Sequence, residues 1–141
     1  MADVTLLSEG AMGIIYQIHS IFGERVLPLL IVVAAIWFTV AWKPGQRPNR
    51  AARLFPILVD IQFTLGLIYW IYGITIGMGT IYLGFPFILH PLLGLLSVGI
   101  AHMSVSAKGP FSRLGRWSAV AGLGALLVSV LAGVVLARTS A

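Results

Sequence analysis

Trp117-Ser-Ala-Val-Ala-Gly-Leu-Gly-Ala-Leu-Leu-Val-Ser-Val-Leu-Ala-Gly-Val-Val-Leu-Ala137 carries no charge from end to end. At ~1.5 Å per residue, a helix of that length covers the ~30 Å hydrocarbon core of a bilayer. Three further stretches read the same way, at about 20–42, 54–73 and 85–105. The composition agrees: 59% of the chain is hydrophobic and 9% charged, against about 25% charged residues in a soluble domain. Nine Lys/Arg and four Asp/Glu are too few to cover the surface of so small a water-soluble fold. The expected fold is an all-α membrane protein, a single integral membrane domain over 1–141. It is a four-transmembrane-helix antiparallel bundle preceded by a short amphipathic segment. Connections as short as these make successive spans antiparallel neighbours.

The basic residues orient the bundle. Lys43, Arg47, Arg50 and Arg53 fall in the first connection, and Lys108, Arg113 and Arg116 in the third. Both connections lie on one face, and the positive-inside bias makes that face cytoplasmic. The second connection is uncharged, so both termini are expected outside, in a bacterial inner membrane. Trp42 and Trp117 suit the inner interface, and Tyr69, Trp70, Tyr72 and Tyr82 the outer one. The net charge of +5 thus reflects topology, and no nucleic-acid partner is expected. The opening residues lack a basic n-region, so the hydrophobic segments are expected to remain in the mature protein.

Residues 10–22 alternate in helical register, with Ile14, Ile15, Ile18 and Phe22 on one face and Gln17, Ser20 and Glu24 on the other. They read as a helix lying in the outer interface, with a bend at Pro28, or as an extension of the first span. The first reading is the expected one. The segment Gly73–Gly84, rich in glycine and large apolar residues but uncharged, reads as an outer loop at the headgroups or beneath another protein. In the fourth span Ala121, Ala125, Ser129 and Gly133 recur every fourth residue. Small residues let membrane helices approach closely, so this stripe is the expected packing face.

Ionisable residues at membrane depth are functional candidates. Asp60 and His102 should sit at similar depth near the inner side. They read as a hydrogen-bonded pair between the second and third spans, or as a proton relay. His90 opens the third span, on one face with Gly94, Ser97 and Ala101. A histidine above such a groove is how helical cytochromes b seat a haem, and His19 is the candidate partner ligand. Counted from level inner ends, however, the two histidines differ in height by roughly 12 Å. The alternative is that both bond locally near the interface. Without cysteine there can be no disulfide, iron–sulfur cluster or c-type haem attachment. No metal cluster and no catalytic constellation is expected, and the glycines at 77–84 lack the lysine of a phosphate loop.

The segment Leu58-Val-Asp-Ile-Gln-Phe-Thr-Leu-Gly66, followed by Leu89-His-Pro-Leu-Leu-Gly-Leu-Leu-Ser-Val-Gly-Ile-Ala-His102, resembles small bacterial four-helix integral membrane proteins. These are themselves loosely similar to membrane b-type cytochromes. The resemblance implies a subunit associated with haem b or a quinone. Three functions remain open. The leading one is a non-catalytic integral membrane subunit of a larger respiratory or photosynthetic electron-transfer complex, docked to other membrane subunits or to itself. The alternatives are a small membrane b-type cytochrome or quinone-reactive anchor, and a small oligomeric transporter resting on Asp60 and Gln62.

Because the chain has no cysteine, Ser112→Cys introduces a single label site. It is expected to resist an impermeant reagent in intact cells and to react once the inner face is opened. Labelling in intact cells would invert the topology.

Overall fold

The computed structural model describes residues 2–44, 50–106 and 108–139. Among the described residues it is all helix and turn, with no strand. The helices are α1 (Ala2–Ile21), α2 (Leu27–Val40), α3 (Arg50–Gly73), α4 (Gly79–Tyr82), α5 (Leu89–Ser104) and α6 (Ser118–Thr139). They make four rods. Three are long and apolar enough to cross a membrane: Gly10–Val40, Ala52–Tyr82 and Pro110–Thr139. The remaining helix, α5, is apolar but has 16 residues.

The first rod corrects the expectation for residues 10–22. α1 runs into a π-helical turn (Phe22–Val26) and on into α2, so the segment extends the first span. Pro28 stands in the first turn of α2 and has no N–H for the helical ladder. The turn before it widens, and the Leu27 N–H bonds back to the Phe22 carbonyl, five residues away. The ladder thus changes register at the proline, without the sharp bend that would lay α1 flat.

The second correction concerns residues 74–82. They are helical, as a π-helical turn (Ile74–Met78) followed by α4. An uncharged segment at the membrane must satisfy its own backbone, and helix is how it does so. Gly77, at φ 94°, supplies the left-handed kink that lets α4 turn back on α3. The Tyr82 ring then lies where a Cβ on Gly73 would stand, and the Trp70 indole N–H donates to the Tyr82 carbonyl at 3.0 Å. The chain enters α5 through turns at 84–90, so the third helix begins at Leu89 and not at 85.

The core comprises Leu27, Ile31, Phe55, Val59, Ala101, Leu123 and Leu126. α6 is the hub. It packs on α5 and on α2, whereas α2 barely meets α3 and α1 lies on α3. The first rod therefore crosses from the second rod at its N-terminal end (α1) to the fourth at its C-terminal end (α2). The buried face of α6 is Ala119, Gly122, Leu123, Leu126, Ser129 and Gly133. Of the expected stripe, Ser129 and Gly133 lie in it, while Ala121 and Ala125 are half-buried at its edge. A Cβ on Gly122 would stand 3.0 Å from the Ser104 Cα, so glycine sets the α5–α6 approach there. Two turns away, the Ser97 and Ser129 hydroxyls lie 2.9 Å apart. They share the Leu93 carbonyl at 2.8 and 3.2 Å.

Gly122→Leu and Ser129→Leu are each expected to destabilise the bundle by about 1–3 kcal/mol through overpacking. Val128→Leu, on the exposed side of the same helix, should stay within about 0.5 kcal/mol. Thermal unfolding in detergent reads both. Equal stability of all three would mean that this face of α6 is not a helix contact.

Candidate bis-histidine site

His19 lies one turn before the π-helical turn, and Gln62 on α3 holds it from two directions. The His19 Nδ1 lies 3.0 Å from the Gln62 backbone carbonyl. The Gln62 Nε2 donates to the His19 carbonyl at 2.7 Å. Two glycines make this close approach feasible. A Cβ on Gly23 would run into the Gln62 amide, and one on Gly66 into the His19 ring. The clamp leaves Gln62 Oε1 buried without a hydrogen-bond partner among the described residues.

His90 sits at the outer end of α5, and its Nδ1 lies 2.8 Å from the Gly133 carbonyl on α6. Both histidines are thus tied to the backbone of a neighbouring helix. A carbonyl can only accept, so the His90 Nδ1 carries the proton, and in a neutral ring its Nε2 is then an unprotonated lone pair. The His19 Nδ1 lies 3.0 Å from both the Gln62 carbonyl, an acceptor, and the Gln62 Nε2, a donor. Neither Nε2 has a hydrogen-bond partner among the described residues. The ring centroids lie 6.1 Å apart with the planes at 87°.

The height difference expected between the two histidines is therefore absent. Its premise was that the inner helix ends are level, and they are not. Ser104 closes α5 against Gly122, while Trp42, beyond the end of α2, reaches Gly115. Those two contacts fall seven residues apart along the fourth rod, so the ends of α2 and α5 are not level.

Both rings border a cavity of about 450 Å³. Its walls are mainly aromatic and apolar, with Phe63, Trp70, Tyr82, Phe87 and Val130 among them. Phe87 stacks on Tyr82 at 4.9 Å and approaches His90 at 5.8 Å, and Tyr16 lies 4.9 Å from Tyr69. The charges on the wall are Glu24 and Arg138, which pair with each other and join the π-helical turn to the outer end of α6. Among the described residues no cluster of three or more His, Cys, Asp or Glu is placed to hold a metal ion.

Asp60 and His102 lie apart from this cavity. The His102 Nε2 is 3.1 Å from both Asp60 carboxylate oxygens. Their side chains are 39% and 55% exposed, so the pair lies on the outer surface of the α3–α5 seam. Gln62 was not singled out by the sequence as a partner for histidine. The available signal was its position as a lone amide in an apolar span, four residues before Gly66. The Glu24–Arg138 pair joins residues 114 apart, a separation that leaves no local sequence signal. Comparison of the chain with protein-family models, characterised proteins and solved structures gives no match.

A double-mutant cycle over Asp60→Asn and His102→Gln is expected to show a coupling of about 0.5–1 kcal/mol, as for an exposed pair. Additive losses in thermal unfolding would show that the two side chains do not interact in the membrane.

Proposed function

We propose that this chain is an integral membrane subunit that holds a b-type haem between His19 and His90 and carries single electrons within a larger membrane complex. The observation that supports this most is the matched pair of imidazoles. The His90 Nδ1–H donates to the Gly133 carbonyl, and the His19 Nδ1 lies 3.0 Å from the Gln62 carbonyl. Metal-ligating histidines make such a second contact almost without exception, and it raises the basicity of the ligating nitrogen. The two rings stand 6.1 Å apart at their centroids on the wall of one cavity, so His19 and His90 are the residues that would hold the iron.

The donor set narrows the choice of metal group. Two neutral imidazoles, with no third ligand among the described residues, do not complete the shell of a bare ion. They do complete that of a porphyrin iron, which brings four nitrogens of its own. The cavity of about 450 Å³ falls within the range of about 300–1,000 Å³ for cofactor sites. When bound, the haem supplies one-electron exchange. The protein's own residues do the rest. The Gln62 and Gly133 carbonyls fix ring orientation, the aromatic walls exclude water, and Glu24–Arg138 spans the outer rim. The large apolar side chains exposed on all four rods face lipid or other subunits, and the short connections leave no surface for a water-facing active site. A quinol, whose hydroxyls would donate to the same two lone pairs, is the second reading.

The chain purified gently from its own membrane is expected to show a reduced-minus-oxidised α-band. His90→Ala and His19→Ala should each abolish it, and His102→Ala should leave it intact. No band in the wild type, together with no binding of added haemin, would overturn the haem reading. Quinol binding that is lost in both His19→Ala and His90→Ala would then establish the second.

A further inference from the structure

A second opening lies at the other end of the molecule, on the lipid-facing side where α2 meets α6. It is a groove of about 360 Å³ with Val32, Ile36 and Val40 on one wall and Val120, Gly124 and Leu127 on the other. Its sole polar lining residue is Thr39, whose hydroxyl is already given to the Ala35 carbonyl at 2.7 Å. The groove therefore offers nothing to a polar ligand. It is open at Gly124, where no atom lies within 4 Å of a Cβ position. Along α2 it runs from Ile31 to Val40, about 13.5 Å at the helical rise. One leaflet of hydrocarbon is about 15 Å deep. A partner helix crossing the membrane would need a seam about twice that long.

The end of the groove is marked by charge. α2 and α6 are antiparallel, so Val40 and Val120 share one end. Lys43 follows Val40 by three residues, and Arg116 precedes Val120 by four. The Trp42 ring comes within 3.8 Å of the Gly115 Cβ position, which brings the two basic segments together. Lys43, Arg113 and Arg116 are all exposed, and the Arg116 guanidinium lies 5.3 Å over the Trp117 ring. No acidic residue follows Glu24 in the sequence except Asp60, which is engaged by His102. A one-leaflet apolar groove thus ends on unneutralised cations between two tryptophans, at headgroup depth.

We infer that this groove is a binding site for an anionic phospholipid, with one acyl chain along α2 and α6 and the phosphate held by Lys43 and Arg116. Basic pockets between membrane helices recognise anionic headgroups at about 1 kcal/mol per cation, or about fivefold each. The site is independent of the histidine cavity.

Native mass spectrometry of the full chain in neutral detergent tests it, comparing phosphatidylglycerol with phosphatidylcholine of identical acyl chains. The wild type is expected to prefer phosphatidylglycerol by about 25-fold. Lys43→Gln with Arg116→Gln should bring the two lipids close to parity while leaving phosphatidylcholine binding in place. Gly124→Leu, at a position where a Cβ meets no atom within 4 Å, should abolish retention of both. Equal binding in the wild type, or a preference that survives the double glutamine variant, overturns the headgroup assignment. Retention unchanged in Gly124→Leu overturns the groove, and release of a co-purifying polypeptide by that variant assigns it to a partner subunit instead.

Discussion

In hydrocarbon a backbone N–H or C=O has no water to fall back on, so every irregularity in a helix must find its partner inside the protein. Most of the distinctive geometry of this chain follows from that demand. Pro28 removes a donor from the first rod, and the ladder answers with a π-helical turn. Three residues before that turn the Gln62 amide donates to the His19 carbonyl, and the His19 Nδ1 lies 3.0 Å from the Gln62 carbonyl in return. Across the cavity, the His90 Nδ1 lies 2.8 Å from the Gly133 carbonyl on α6. Contacts to neighbouring backbone therefore hold both imidazoles on the wall of one cavity.

The close approaches that this requires are made by small residues. Gly23 and Gly66 leave room for the Gln62 amide and the His19 ring, and Gly73 for the Tyr82 ring. Gly122 lets Ser104 onto α6. In water a glycine inside a helix is destabilising. Between membrane helices the hydrophobic effect gives no preference for protein over lipid, so contact distance decides association. The same chemistry explains why α6 is the hub, since its buried face mixes glycine, alanine and serine with leucine.

What the sequence disclosed and what it hid follow a physical line. Uncharged runs are set by the need to match hydrocarbon, so the helical class and the apolar rods could be read directly. Helix ends were harder. The segment 74–82 looked like a loop because glycine is the usual mark of one, yet Gly77 serves as a kink between two helical pieces. Residues 10–22 looked interfacial because their polar face suggested water. Two residues of that face turn inward instead, Ser20 and Glu24, toward a cavity shared with α3 and α6, while Gln17 is exposed. For the candidate site, residue types were legible and relative heights were not. Counting along a helix gives distance from its own end, and nothing in a single sequence says whether two ends are level.

The two openings divide the molecule by chemistry. Toward one end the walls are aromatic, with paired imidazoles and a closed ion pair on the rim. Toward the other the groove is aliphatic and ends on cations without acidic neighbours. The first rod links them, because α1 forms part of the histidine cavity and α2 forms one wall of the groove. A helix that crosses from α3 to α6 is held at both contacts and at the π-helical turn between them. The groove and the cavity share no lining residue, so the walls of one can be altered without touching those of the other.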